Sequence, residues 1–480
     1  MASHDLDLQQ IARGVLMANG FTAELPRALD ASVPAHDPDG AARDLRGLAW
    51  SSVDNAESRD LDQIEVAERL TGGAIRLWLG IADVDALAPQ GSPIDRHAAR
   101  NTTTLYTGVE TFPMLPEVLS VGRTSLLEAE DRLAVVTELV IGVDGAIDDA
   151  ETRIYRARVT NHAKLAYERV GVWLEHGGAP PADPRIADQL QLQDEAAQRL
   201  RRLRHEHGAL ELETIEARPV TANGRVVDLE VTHKNRARAL IEDLMIAANG
   251  ATARYLEARG IASIRRVVRA PRRWDRIVEL ARGFGAALPA APDARALADF
   301  LATRRRDAPE RFADLSLSVV KLLGPGAYLV QRPGDPDQGH FGLAVDDYAH
   351  STAPNRRYAD LITQRLLKAA VAGAPSPYRD DELMAIAAHC TEREDAARKV
   401  ERTMRKVFAA SLLSSRIGDT FDAIVTGAAA KGTFVRLVRP AAEGRLVSGE
   451  HGLDVGDHVR VTLTATEPSR GFIDFAVARP

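Results

Sequence analysis

The sequence predicts an α+β chain in three parts: a short helical module at residues 1–44, a large strand-and-helix unit at 45–416, and a small β-barrel of OB type at 417–480. Three observations predict it. LQQIARGVLMANGF carries apolar residues at helical spacing and is closed by Gly20 and Pro26. From Leu45 the pattern changes to strands, in IEVA, IRLWLGIADV and LAVVTELVIGVDG, the last ending in a turn signal. From Ile417 onward short strands recur with glycine turns: DTFDAIVTG, GTFVRLV, GRLVSG, DHVRVTLTA and GFIDFAV. Five strands in so short a piece suit a closed barrel better than a sandwich.

Between these parts the punctuation is regular. The loop HGGAPPADP at 176–184 precedes a long charged helix, ADQLQLQDEAAQRLRRLRHEHG. GALELE, the Asn223-Gly224 turn and RVVDLEV then read as a hairpin. RARALIEDLMIAANGATARYLEARG is an amphipathic helix ending in glycine, and LPAAPDA and RPGDPDQG mark loops. Residues 382–416 read as another long helix of mixed charge.

Composition narrows the class. Hydrophobic residues at 45% against 27% charged describe a globular chain, not a disordered one. A single cysteine, Cys390, excludes a disulfide scaffold and any cysteine-based metal centre. The amino terminus, MASHDLDLQQ, has no apolar signal core, and no run of apolar residues is long enough for a membrane span. The expectation is a cytoplasmic chain with no membrane partner. A net charge of −7 argues against coating nucleic acid by bulk charge. It leaves room for a local basic channel built from the runs RRLR (201–204), RRVVRAPRR (265–273) and RKVERTMRK (398–406). Each run taken alone reads equally as a solvated helix face.

Two strings could carry chemistry. In SSVDNAESRDLDQIEVAE (51–68), Asp54, Asp60 and Asp62 crowd a polar segment before an apolar strand. Asp60 and Asp62 share one side of an extended chain, since side chains repeat every two residues. Converging carboxylates repel unless a cation neutralises them, and hard divalent ions prefer such oxygens. As a bare pattern, D-x-D in a loop also fits a turn or a helix cap. In APNRRYADL (353–361), Pro354 introduces a helix with Arg356 and Arg357 at its start. Positive side chains at a helix amino terminus are unfavourable unless an anion is bound or a salt bridge forms, here to Asp346, Asp347 or Asp360.

Taken in order, DNAESRDLDQ, YTGVETFPMLP (106–116), NHAKLAYE (161–168), IEDLMIAAN (241–249), GHFGLAVDDYAHSTAPNRRYADL (339–361) and VER (400–402) resemble the RNB catalytic domain of the ribonuclease II and ribonuclease R family. The carboxy-terminal barrel resembles the S1 RNA-binding domain that follows RNB in that family. The resemblance implies a mixed sheet with surrounding helices. It also implies processive 3′-to-5′ hydrolysis of single-stranded RNA to nucleoside 5′-monophosphates with Mg²⁺ in a two-metal mechanism, carried out by a monomer.

Residue by residue, the resemblance places Asp54, Asp60 and Asp62 on the first three motif aspartates as metal ligands, and Gln63 on the fourth. It assigns catalytic roles to Asp62, Arg356, Glu242, Glu401 and Tyr167. RNA contacts fall to Tyr106 as a base-stacking ring, to Arg357, and to Phe434 in the barrel. From the residues alone, Glu242 and Glu401 read equally as helix-face acids, Arg357 as a packing or salt-bridge residue, and Phe434 as core. Three departures stand out: Gln63 removes a charge, APN replaces SPI, and where a second aromatic is expected near GALELE only Leu210 and Leu212 occur. A degenerate, RNA-binding RNB centre is the competing expectation. The amino-terminal module is expected to be helix-turn-helix-like, as an RNA contact or a brace, in place of cold-shock barrels.

Overall fold

A computed structural model describes residues 7–36, 42–213, 216–222, 225–232, 234–429, 432–453 and 456–478. Helix α1 (Leu8–Ala18) starts where the Asp7 carboxylate accepts the Gln10 N–H at 2.9 Å. Its buried stripe, Leu8, Ala12 and Leu16, joins Ala397, Val400 and Met404 of a late helix in one apolar cluster. Arg13 grips Glu110 with two nitrogens, tying the outer side of α1 to the body. Beyond α1 comes a 3-10 turn, Arg27–Ser32. Among the described residues of this stretch there is no second α-helix to pair with α1, and the apolar stripe of α1 is spent on packing against the late helix.

The central sheet is built from β1 (Arg43–Asp44), β2 (Ser51–Asp54), β3 (Gln63–Arg69) and β4 (Ile75–Ala82). A small hairpin, β5 (Leu105–Tyr106) with β6 (Thr111–Phe112), intervenes before β7 (Asp131–Ile141), β8 (Arg153–Thr160) and β9 (Ala163–Ala166). Strand order is β1-β8-β7-β4-β3-β2-β9. The sheet is mixed: β1 runs parallel to β8 and β2 parallel to β9, while the other neighbours are antiparallel. Arg43 pairs with Ala157, so the sheet begins two residues inside the stretch assigned to the amino-terminal module.

Both faces of the sheet are covered, which is why its central strands read as nearly continuous apolar runs. Ile64 and Val66 of β3 face one cluster with Ile94 and Ala98 of α2 (Pro93–Asn101). Ala67 of β3 and Leu77 and Leu79 of β4 face the other, against α3 (Tyr167–His176), α4 (Pro184–Glu206) and α5 (Arg236–Glu257). Asp183 caps α4 and Pro184 occupies its first turn, so the helix starts three residues earlier than the sequence reading placed it.

The hairpin pairs β10 (Glu216–Ala222) with β11 (Arg225–Thr232). GALELE is not its first strand. Residues 208–213 are irregular, with the Leu210 N–H on the Gly342 carbonyl and Leu210 and Leu212 packed into a separate cluster. The Asn223-Gly224 turn lies outside the described residues. That separate cluster is formed by α6 (Trp274–Gly283), α7 (Ala294–Asp307) and α8 (Pro309–Leu323), which follow β12 (Ser263–Val267) and precede its partner β13 (Ala327–Gln331).

Helices α9 (Tyr358–Ala372) and α10 (Asp380–Leu413) complete the unit. At about 1.5 Å per residue the 34 residues of α10 span roughly 50 Å. Its first half, with Leu383, Ala387 and Cys390, packs beneath the sheet. The second half, with Val407, Phe408 and Leu413, shares a core with Phe421, Val461 and Leu463 of the barrel. The barrel closes in the order β14 (Thr420–Ala429), β15 (Gly432–Leu437), β16 (Glu443–Ser448), β18 (Phe472–Val477), β17 (His458–Glu467), and β17 returns to β14. Parallel pairing of β16 with β18 gives the OB arrangement the sequence predicts.

Candidate active site

The aspartate segment is clamped before it enters the sheet. Ser125 Oγ donates to the Arg59 carbonyl and accepts the Leu61 N–H, and the Leu61 carbonyl accepts the Leu126 N–H. These bonds hold the segment in place ahead of β3, which begins at Gln63. Asp54 ends β2, where its Oδ1 accepts from the Asn55 N–H and the Ser58 hydroxyl.

Asp62 is 1% exposed and meets the second string across 293 residues. Its Oδ1 accepts the Asn355 N–H at 2.9 Å, and its Oδ2 lies 3.2 Å from Arg356 Nε. Burial pushes the Asp62 carboxyl up to about 7, with Asp60 and Asp360 adding to the rise and Arg356 and the Asn355 N–H opposing it. The loop that presents Arg356 is itself pinned. Ser351 donates twice to Asn249, Asp360 accepts the Ala353 N–H, and Thr124 donates to the Asn355 side chain. Asn355 is fully buried, with its side-chain oxygen on Thr124 and its backbone N–H on Asp62, while its side-chain nitrogen has no partner.

Arg356 and Arg357 diverge. Arg356 keeps its side chain 43% exposed beside Asp62. Arg357, the cap of α9, closes Nε and Nη2 on the buried Asp360 at 2.9 and 2.7 Å. Asp360 sits in the first turn of α9 and neutralises the unfavourable charge there. The Arg357 guanidinium is thus engaged with Asp360, the salt-bridge arrangement that the sequence left open beside an RNA contact.

The remaining candidates are not all gathered at this point. Tyr106 on β5 is exposed, and its hydroxyl donates to Asp60 Oδ2. Tyr167 opens α3, with the Arg238 guanidinium 4.4 Å above its ring. Glu242 projects from α5 to an ion pair with Lys234, the helix-face arrangement that the sequence left open. Its neighbour Asp243 turns inward to Arg201 and Arg204. Glu401 lies half-buried on α10. Phe434 stands on the outer face of the barrel over Gly427, while Val435 and Leu437 fill the core. Its ring is an outer-surface feature, not a core one.

Sequence reasoning named Asp360 among the possible salt-bridge partners, but it missed Asn249 and the bonds that Asn355 makes, which come from loop packing. It also missed Glu65, for which one signal existed: an acid in the middle of the apolar strand IEVA. Glu65 is fully buried on β3, burial and the charge of Asp54 push its carboxyl well upward, and neither oxygen has a hydrogen-bond partner.

In kind, the donors fit a hard divalent cation: Asp54, Asp60 and Asp62 offer carboxylate oxygens and Gln63 an amide oxygen. Asp62 in particular is a buried carboxyl that Arg356 alone compensates poorly. The oxygens are not drawn to a single point, since Asp54 is turned to Ser58 and Asp60 to Tyr106. Among the described residues, the group of three acids whose ligand atoms all come within 4.8 Å of one another is Glu257, Asp337 and Asp347. These lie at the last residue of α5, around Arg265, which bonds to Glu257 and Asp347.

The model of the RNB domain family matches residues 42–373. The chain belongs to the RNB family. Residues 419–478 of this RNB chain also match the RNase II-type exonuclease C-terminal S1 domain. Ribonuclease R of Escherichia coli (strain K12) is 30% identical over 415 residues, covering 82% of the RNB chain and 49% of the relative. Exoribonuclease 2 of Escherichia fergusonii is 32% identical over 405 residues, covering 82% of this chain and 61% of its own. The RNB chain thus spans about half to three-fifths of these curated relatives. Mycoplasma genitalium RNase R in complex with ribose methylated single-stranded RNA has the same fold, with a TM-score of 0.89 at 23% identity over 98% of this chain and 78% of its own. No helix among the described residues is long and apolar enough to cross a membrane.

Proposed function

We propose that this RNB chain is a Mg²⁺-dependent hydrolase that removes nucleotides processively from the 3′ end of single-stranded RNA, as nucleoside 5′-monophosphates, working as a cytoplasmic monomer. The observation that carries the reading is the buried Asp62 bridging the aspartate segment to Arg356. Relatives named ribonuclease R and exoribonuclease 2, and a shared fold with an RNase R bound to single-stranded RNA, support it.

Asp54, Asp60, Asp62 and Gln63 would hold the divalent ions, with RNA phosphate oxygens completing their shells. When bound, such ions acidify a water and stabilise the leaving oxygen of an in-line displacement. Asp62 orients Arg356 through Nε, and the exposed remainder of that planar fork suits two phosphate oxygens. Fixed positive charge at that place favours the extra negative charge of the transition state. Tyr106, anchored through its hydroxyl to Asp60, offers a ring face to a base, worth about 1–3 kcal/mol and tolerant of sequence. Phe434 offers a second such face on the barrel.

The competing reading, an RNA-binding protein with a degenerate centre, has Gln63 in its favour. A time course on 5′-labelled single-stranded RNA separates the two. Mg²⁺ should give a ladder descending from the 3′ end to one short limit product, and EDTA should stop it. Intact RNA under both conditions supports the binder.

A further inference from the structure

Gln63 lowers the carboxylate count of the cation-binding segment by one, and β3 carries another acid two residues away. Side chains at i and i+2 of a strand share a face, so Gln63 and Glu65 project to the same side of the sheet, about 6.6 Å apart along β3. Glu65 lies directly opposite Ser51 of β2, the strand that ends in Asp54. On its other flank it faces Leu79 of β4.

Nothing about packing requires an acid there. Glu65 is 0% exposed, both its oxygens lack a hydrogen-bond partner, and so does the Ser51 hydroxyl opposite. A buried carboxyl with unmet oxygens costs on the order of 1–3 kcal/mol even when neutral, and more when ionised. Leucine would fill the same space without that cost. The arrangement makes sense if a cation meets those oxygens.

We propose that Glu65 is a metal-binding residue of this chain: it supplies to the divalent cation, from one position further along the same strand face, the carboxylate that Gln63 lacks. The inference rests on the nuclease reading above and adds a ligand to it. Glutamate is one methylene longer than aspartate, which is the direction of change needed to reach back along β3. The centre then keeps its full anionic charge by relocation, and Gln63 is not a mark of decay.

Mn²⁺ binding to the full chain, followed by the loss of the free-ion paramagnetic resonance signal, tests this without reference to activity. Wild type should bind Mn²⁺, and Asp54→Asn should weaken binding. Glu65→Gln should weaken it by at least roughly tenfold, the loss a metal site suffers even from changes beyond its direct ligands. Adding Gln63→Asp to Glu65→Gln should restore affinity to near wild type. Gln63→Asp alone should change affinity by less than about threefold, because the charge is already present; this arm stands even if Glu65→Gln fails to fold. Wild-type affinity in Glu65→Gln, or a gain of roughly tenfold or more in Gln63→Asp alone, overturns the assignment while leaving the nuclease reading intact. Equal, negligible binding by wild type and Asp54→Asn overturns both.

Discussion

Arg356 Nε stands 3.2 Å from Asp62 Oδ2, while the next residue, Arg357, is turned away and locked on Asp360. Adjacent side chains at a helix entry diverge, so one arginine can face the site and the other the core. Arg356→Lys keeps the charge but loses the planar fork. Single-turnover cleavage should slow strongly, with a thermal midpoint near wild type. Arg357→Ala leaves the buried Asp360 unpaired and should destabilise the fold by about 3–5 kcal/mol. Thermal melts together with single-turnover rates check both, and a larger cleavage defect at Arg357 in a folded protein would reverse the assignment.

A pH dependence follows from His340. Burial and the nearby Arg266 lower its imidazole to about 4, and its Nδ1 accepts the Leu343 N–H. The fold favours the neutral ring, so between about 6.5 and 4 the unfolded chain binds the proton first. Stability should therefore fall as pH drops through that window, by on the order of 2 kcal/mol at pH 4.5 from this residue. Urea midpoints at pH 7 and pH 4.5 measure the loss, which His340→Gln should reduce. An unchanged loss in that variant would show that other groups dominate.

The barrel is seated on α10 through a close approach at Gly471. That residue has a φ of +65°, and an added Cβ would lie 2.7 Å from the Lys406 side chain and 2.9 Å from its backbone. Gly471→Ala should strain the turn and lift it from α10, costing about 1–3 kcal/mol and weakening RNA binding. Limited proteolysis near Ile417 and a thermal melt read the effect, and a wild-type cleavage pattern with an unchanged midpoint would place the seat elsewhere.

How much of this was legible in the sequence depends on the range of the interaction. Local signals worked: the helical apolar spacing of α1, the apolar strand run IEVA in β3, and the five strands after Ile417. The aspartates and Arg356 were legible as motif positions. Asp360 was legible as one of three possible partners for the arginines, but that the Asn355 N–H serves Asp62 was not, because it depends on a loop pinned by Asn249 and Thr124 from distant elements. GALELE misled because its alternation suits a strand, yet Leu210 and Leu212 are drawn into the cluster around Trp274 instead. Glu65 was hidden by its neighbours: in IEVA the apolar residues explain the strand, and the acid between them looks incidental until its burial is known.

The measurement that bears most directly on the nuclease reading is single-turnover cleavage by Asp62→Asn, run beside equilibrium RNA binding in EDTA. The substitution is nearly isosteric and removes one charge from the point where the two strings meet. Cleavage should fall by about 10²–10³-fold, the scale of losing one preorganised electrostatic contact, while RNA affinity stays equal or tightens as phosphate repulsion is relieved. Near-wild-type cleavage by Asp62→Asn would contradict the account.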